Sequence, residues 1–162
     1  MNDEEGRFAR LPRAGGKRPS FSCPAEVKNL EIVYTEERRF TAEELRELFE
    51  SVGWLSGKYP ERLKKALDGC ATVITAWEGE RLVGLVNAID DGELTAYAHY
   101  LCVAPDCQGK GVGKTLLSLL KKKYENYLYL ILHAEHDGLI PYYLANGFTP
   151  RDDETIFMRM HE

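Results

Sequence analysis

The stretch Val103-Ala104-Pro105-Asp106-Cys107-Gln108-Gly109-Lys110-Gly111-Val112-Gly113-Lys114 decides the fold of this 162-residue chain. Its glycines at 109, 111 and 113 alternate directly before an apolar helical pattern that begins at Val112. Glycines admit unusual backbone angles, so successive N–H groups can converge on an anion at a helix N-terminus. The pattern therefore predicts a phosphate-binding loop that opens a helix.

The spacing of the loop excludes two classes of nucleotide site. An ATP-binding P-loop ending in Gly113-Lys114-Thr115 needs a glycine five places before Gly113, where Gln108 stands. A dinucleotide-binding loop starting at Gly109 needs a glycine at 114, where the chain has Lys114. Neither motif is present, so the phosphate belongs to another class of ligand.

Working outward from the loop, apolar periodicity and turn residues predict the remaining elements. Upstream we expect a strand from Leu30 to Tyr34, a helix from the Thr41 capping box to Gly53, a short helix from Pro60 to Gly69, and strands over 72–77, 81–88 and 94–103. Downstream we expect a helix from Val112, a long buried strand from Tyr127 to His133, a helix from Pro141 closed by Asn146-Gly147, and a final strand from Ile156 to Met160. This order predicts an α/β fold, with a mixed sheet and helices on its faces.

Composition sets the domain organisation and the class of partner. Residues 29–162 are long enough for a single domain, whereas residues 1–28 have the composition of a disordered extension. The net charge of −5 argues against a nucleic-acid partner, and no apolar stretch is long enough to span a membrane. The four cysteines contain no C-x-x-C pair, which favours reduced thiols in the cytoplasm.

Two motifs carry a family resemblance. Gln108-Gly109-Lys110-Gly111-Val112-Gly113, after a strand ending Val-x-Pro, resembles the coenzyme A loop of the GNAT acetyltransferase superfamily. About thirty residues on, Pro141-Tyr142-Tyr143-Leu144-Ala145-Asn146-Gly147-Phe148 resembles that superfamily's aromatic-Tyr and Gly-Phe segment. The resemblance covers residues 30–162. It implies a mostly antiparallel twisted sheet of about six to seven strands with a central splay, and acetyl-CoA as the acyl donor.

The resemblance also implies a donor site. Coenzyme A would lie where the strand carrying Val103 splays from the strand Tyr127 to His133, with its pyrophosphate on the amides of Lys110 to Lys114. The Leu101 N–H would polarise the thioester carbonyl. The donor-contacting residues are then Leu101, Cys102, Val103, Gln108, Gly109, Lys110, Gly111, Val112, Gly113, Lys114 and Tyr142.

Three side chains are candidates for proton transfer. Tyr143 matches the family's tyrosine acid, although a tyrosine packed on the core has the same pattern. Strand alternation places Tyr97, His99, Leu101 and Val103 on one face, so His99 is a candidate base, and a structural histidine is an equally open interpretation. Glu135, beside the expected splay, is a candidate for contacting a cationic acceptor or for a secondary base.

Two aromatic residues are candidates for the acceptor pocket. Trp54 lies where the family's variable helices cover the acceptor, and core packing is the alternative. Tyr97 stands where histone-type members carry a glutamate base, and we assign it to acceptor binding. We expect no metal, because His133 and His136 face opposite ways on an extended strand and match no zinc pattern.

The sequence thus favours transfer of an acetyl group to a primary amine of a small molecule, in a protein that forms a homodimer, as family members often do. Two alternatives stay open: the acceptor is a protein N-terminus or lysine, or the protein binds coenzyme A without turnover.

Overall fold

The computed structural model describes residues 31–150, and that range contains five strands and four α-helices. The strands are β1 (Ile32–Thr35), β2 (Thr72–Glu78), β3 (Arg81–Asp90), β4 (Thr95–Val103) and β5 (Tyr129–Leu132). The helices are α1 (Ala42–Ser51), α2 (Pro60–Asp68), α3 (Val112–Lys123) and α4 (Ile140–Ala145). Short 3₁₀ turns cover Leu55–Lys58, Pro105–Cys107 and Asp137–Leu139.

The strands form one mixed sheet in the order β1-β2-β3-β4-β5. The first four pair antiparallel as a meander, and β5 pairs parallel with β4 after the crossover through α3. The predicted mixed, mostly antiparallel sheet is therefore confirmed. The described residues contain five strands rather than six to seven, and the predicted strand Ile156–Met160 lies outside them.

Helices cover both faces of the sheet, as predicted. On one face the Cys102 thiol lies 4.0 Å from the carbonyl oxygen of Leu48 in α1. On the other, a methyl group at Gly84 would meet Leu116 of α3 at 3.1 Å, so the glycine allows close packing of helix on strand. Gly84 pairs with Val103 and Leu85 with Cys102, which assigns alternate residues of β4 to the α3 face and the α1 face.

Local signals in the sequence set the helix ends where they were expected. Thr41 caps α1 by accepting from the Glu44 N–H, while the Glu44 carboxylate accepts from the Thr41 N–H, a reciprocal pair that satisfies two backbone donors. Phe40 and Leu45 on either side are buried. Pro60 opens α2.

Strand β5 differs from its prediction. It spans Tyr129–Leu132 rather than Tyr127–His133, and the side chains of Tyr129 and Ile131 are exposed. The prediction of a buried strand was wrong, because within residues 31–150 only alternate side chains of β5 turn toward the core and those on its other face are exposed.

Candidate active site

A gap opens between β4 and β5, the last two strands of the described sheet. The two strands pair only as far as Ala98 and Leu132, whereas β4 continues to Val103. Ala104 donates its N–H to Val83 of β3 at 2.9 Å. Alternate residues of an antiparallel strand turn their backbone groups to the same side, so the N–H and C=O groups of Leu101 and Val103 point away from β3 and into the gap.

The glycine loop lies at the carboxyl end of β4, beside this gap. Gly109 and Gly111 have φ angles of 73° and 86°, in the left-handed region that side chains disfavour. Gly111 is the N-cap of α3, and the buried Val112 side chain anchors the first turn in the core. The Gln108 side-chain amide donates to the Val103 carbonyl at 2.9 Å and ties the loop to the strand. The first N–H groups of α3 can therefore receive an anion.

A cavity of about 460 Å³ connects the gap with the loop, a volume typical of small-molecule sites. The wall includes Leu101 and Val103 of β4, and its remaining members are Gln108, Gly109, Gly111, Gly113, Lys114, Leu139, Tyr142 and Tyr143. Among the predicted donor residues, Cys102, Lys110 and Val112 are not part of this wall. Cys102 instead lies buried on the α1 face, where burial raises the pKa of its thiol to about 12.

The Tyr142 hydroxyl lies at this site and has no hydrogen-bond partner among residues 31–150, although the atom is buried. A methyl group at Gly113 would lie 3.0 Å from that oxygen, so the glycine makes room for it. Buried hydroxyls nearly always have a partner. An unpaired one beside an anion-binding loop is the feature expected of a site that receives a polar ligand, and it fits the coenzyme A that the motifs imply.

Tyr143 lies at the junction of this cavity and a second groove along β5, which it also lines. Burial raises the pKa of its phenol, and the nearby Tyr142 and Glu135 raise it further. The phenol is therefore protonated at neutral pH and able to donate.

His99 does not share a face with Leu101 and Val103, and this expectation was wrong. Val86 pairs with Leu101 and Ala88 with Ala98, so one β3 residue between them, Asn87, is opposite two β4 residues, His99 and Tyr100. This β-bulge reverses the alternation of β4. Tyr97 and His99 lie on the α1 face, while Leu101 and Val103 line the cavity on the α3 face.

Aromatic rings cover the α1 face of the gap. The His99 ring stacks on Tyr100 with centroids 4.0 Å apart, and Tyr100 packs at 5.4 Å against Trp54 and at 5.0 Å against Phe49. Tyr97 stacks on His99 at 6.1 Å. Sequence reasoning missed Tyr100 and Phe49, because simple alternation placed Tyr100 on the face opposite His99.

Two candidates from distant parts of the sequence meet at this aromatic wall. The Trp54 indole N–H donates to Glu135 Oε2 across 3.1 Å. Glu135 is thus close to Trp54 on one side and exerts its charge on Tyr143 on the other. Partial desolvation lowers the pKa of His99, which favours the neutral form of its imidazole.

Asp90 and Asp91, two acidic residues at the turn after β3, accept hydrogen bonds that give them structural roles. Asp91 accepts from the N–H groups of Glu93, Leu94 and Thr95, and the backbone donors, with Thr95 the largest contributor, lower its pKa to about 2. Asp90 accepts from the Tyr124 hydroxyl at 2.5 Å. Within residues 31–150, no group of three or more His, Cys, Asp or Glu side chains is arranged to hold a metal ion.

The gap in the sheet, the glycine loop and the tyrosine pair define a GNAT-type acyltransferase. The family model described as Acetyltransferase (GNAT) family matches residues 35–148, and the chain belongs to this family of N-acetyltransferases. The family resemblance read from the two motifs is thereby confirmed.

Relatives of known name support the assignment. An uncharacterized ycf52-like N-acetyltransferase of Prochlorococcus marinus is 29% identical over 133 residues, which cover 78% of this chain and 73% of that protein. The uncharacterized N-acetyltransferase ycf52 of Porphyra purpurea is 32% identical over 117 residues, covering 68% of this chain and 66% of that protein.

Solved structures share the fold. A GNAT-family acetyltransferase of Streptococcus pneumoniae superposes with a TM-score of 0.68 at 22% identity, over 81% of this chain and all of that one. An aminoglycoside acetyltransferase from an uncultured soil sample, solved with sisomicin, gives a TM-score of 0.59 at 19% identity, over 85% of this chain and all of that one. In the described part of the chain, no helix has the length and apolar character needed to cross a membrane.

Proposed function

We propose that the protein transfers an acetyl group from acetyl-CoA to a primary amine of a small molecule, by direct attack of the amine on the thioester. The observation that supports this proposal most directly is the stretch of β4 that does not pair with β5, which lies between the two halves of the site. It has the glycine loop and Tyr143 on the α3 side, and an aromatic wall with Glu135 on the α1 side.

The donor half of the proposal assigns roles to the backbone and to Tyr142. The amides of the first turn of α3 bind the pyrophosphate of acetyl-CoA. The Tyr142 hydroxyl donates a hydrogen bond to the same molecule. The Leu101 N–H, which points into the gap, polarises the thioester carbonyl and stabilises the negative charge that develops there.

The acceptor half assigns proton transfers. Neutral His99 accepts a proton from the acceptor ammonium through water, and the freed amine nitrogen bonds to the acetyl carbon as the carbon–sulfur bond breaks. Tyr143 donates its phenolic proton to the departing thiolate, and the resulting phenolate recovers a proton from the nitrogen of the new amide. Cys102 is poorly placed for an alternative route through an acetyl-cysteine, because its thiol is buried beside the Leu48 carbonyl and does not line the donor cavity.

A small acceptor is favoured over a protein chain by the contact between Trp54 and Glu135. This bond bridges the segment after α1 and the segment after β5, and so closes one side of the approach to the gap. Glu135 offers a carboxylate to a cationic amine beside that bridge. A protein substrate would require an open groove at the same place.

The test is thiol release from acetyl-CoA with a panel of small amines, an aminoglycoside, and peptides with free N-termini or lysines. We expect release with at least one small primary amine. Turnover confined to peptides would replace the small-molecule proposal with the protein N-acetyltransferase alternative. Coenzyme A binding without turnover on any acceptor would indicate a regulatory module.

The proposal includes a cytoplasmic location, where acetyl-CoA is available and where the free thiols of Cys70, Cys102 and Cys107 stay reduced. It also includes a homodimer, which light scattering of the purified full chain would check.

A further inference from the structure

One fully buried side chain, that of Asn87, lies opposite the β4 bulge. Its relative exposure is 0%, and it is one of three buried polar or charged residues in the described range. Its Oδ1 accepts the Tyr100 N–H at 2.9 Å, and its Nδ2 donates to Cys70 Sγ at 3.2 Å. Both ends of the amide are therefore engaged.

A bulge needs such a partner because it places two N–H groups opposite a single residue of the neighbouring strand. The extra donor has no regular partner in the ladder, and leaving a buried N–H without an acceptor is destabilising. The Asn87 side chain supplies the missing acceptor. An apolar residue of similar size could fill the same space but could not accept this hydrogen bond.

The bulge decides where the reacting groups of β4 point. Without the extra residue, regular alternation would return Leu101 to the face of His99 and would turn the Leu101 N–H toward β3. With it, the Leu101 N–H points into the gap and His99 lies on the opposite face against Tyr100. The geometry of both halves of the site follows from this single irregularity.

We infer that Asn87 is a positioning residue of the acetyl transfer: its side-chain amide holds the β4 bulge and thereby aims the Leu101 N–H at the donor thioester. The inference rests on the proposed function. Asn87 does not line the donor cavity.

The experiment compares Asn87→Leu, which removes the acceptor, with Asn87→Asp, which keeps an acceptor oxygen for Tyr100 in either protonation state. Thr75→Val is the matched control: Thr75 is equally buried, donates to the Thr35 carbonyl at 3.1 Å and accepts from the Trp77 indole at 2.8 Å, but lies on β2, away from the gap. All variants are full-length and assayed well below their melting temperatures.

We expect Asn87→Leu to lower kcat about 100-fold, because a small displacement of an aligned donor has an effect of this order. The Kd for coenzyme A should change less than about threefold, since the glycine loop carries that affinity. Asn87→Asp should stay within about tenfold of the wild-type kcat, and Thr75→Val should lose stability without losing kcat.

Amide spectra give a second readout that needs no turnover. Coenzyme A should shift the Leu101 amide resonance in the wild type and in Asn87→Asp, but not in Asn87→Leu, where exchange of the Tyr100 amide should also accelerate. A wild-type protein that shows the shift but acetylates nothing would refute the proposed function and leave the positioning intact. An Asn87→Leu protein with wild-type kcat or an unchanged Leu101 shift would overturn the inference, as would an equal loss of kcat in Thr75→Val.

Discussion

The Trp54 indole N–H donates to Glu135 Oε2 across 3.1 Å, although the two residues are 81 positions apart in the chain. If this carboxylate receives the acceptor ammonium, Glu135→Gln should raise the KM for a cationic amine about fivefold, because an exposed charge pair contributes about 1 kcal/mol. The KM for acetyl-CoA should not change. Steady-state kinetics with both substrates varied are the measurement, and equal amine KM values for wild type and Glu135→Gln would contradict the assignment.

Trp54→Phe tests the hydrogen bond that fixes the Glu135 carboxylate separately from the negative charge of that carboxylate. The substitution keeps an aromatic ring against Tyr100 but removes the donor to the carboxylate. We expect a smaller rise in amine KM than with Glu135→Gln, since the charge is retained while its position is less fixed. A larger rise in Trp54→Phe would mean that the indole N–H itself contacts the acceptor.

Tyr143→Phe tests the acid. The variant keeps ring packing against Tyr142 and Phe148 but removes the proton donor, so we expect kcat to fall about 100-fold with little change in coenzyme A affinity. Tyr34→Phe on β1 is the matched control and should retain full activity. An undiminished kcat in Tyr143→Phe would remove this tyrosine as the acid.

The pH dependence of kcat/KM tests the base. Desolvation lowers the pKa of His99 below its ordinary 6.5, because burial penalises the charged imidazolium. Activity needs the neutral form, so the rate should rise with pH through a pKa below 6.5 and be level from there to neutrality. His99→Gln should lower the rate and abolish this acidic limb. If the profile of His99→Gln keeps an acidic limb at the same pH, the group that titrates there is not His99.

The features of this site that could be predicted are those determined by residues close together in the sequence. The capping box at Thr41, the glycines around Val112 and the Asn146-Gly147 helix end each specify backbone geometry through residues a few positions apart, and each is present where expected. The family motifs depend on the same local chemistry. These signals sufficed for the order of elements and for the position of the glycine loop at the start of α3.

The bulge could not be predicted, because it depends on a contact between strands. No residue next to His99 and Tyr100 in the sequence indicates a bulge. The residue that pairs with the bulge is Asn87, 13 positions before Tyr100, and this pairing can be recognised only once the register of β3 against β4 is known. The exposure of Tyr129 and Ile131 in β5 had a similar cause, since an apolar run does not reveal whether one face of a strand or both faces are covered. Both errors came from contacts between distant parts of the chain, which short sequence windows do not encode.

Gly113→Ala tests whether the space between α3 and Tyr142 belongs to the donor site. Gly113 lies in the first turn of a helix, where alanine is favoured over glycine by about 1 kcal/mol, so the variant should fold at least as well as the wild type. Its methyl group, however, would lie 3.0 Å from the Tyr142 oxygen and 3.5 Å from Val103. The hydroxyl must shift, and we expect the Kd for coenzyme A to rise about tenfold, a change of about 1.4 kcal/mol in binding.

The matched control is Gly92→Ala, in the turn after β3. Gly92 has a φ of 85° and no atoms within 4 Å of an added methyl group, so alanine there strains the backbone by about 1–2 kcal/mol without touching the site. Calorimetry of binding and of unfolding should therefore give opposite patterns. Gly113→Ala loses coenzyme A affinity and keeps its Tm, whereas Gly92→Ala loses Tm and keeps its affinity. Wild-type affinity in Gly113→Ala would show that the unpaired Tyr142 hydroxyl faces a space that the donor does not use.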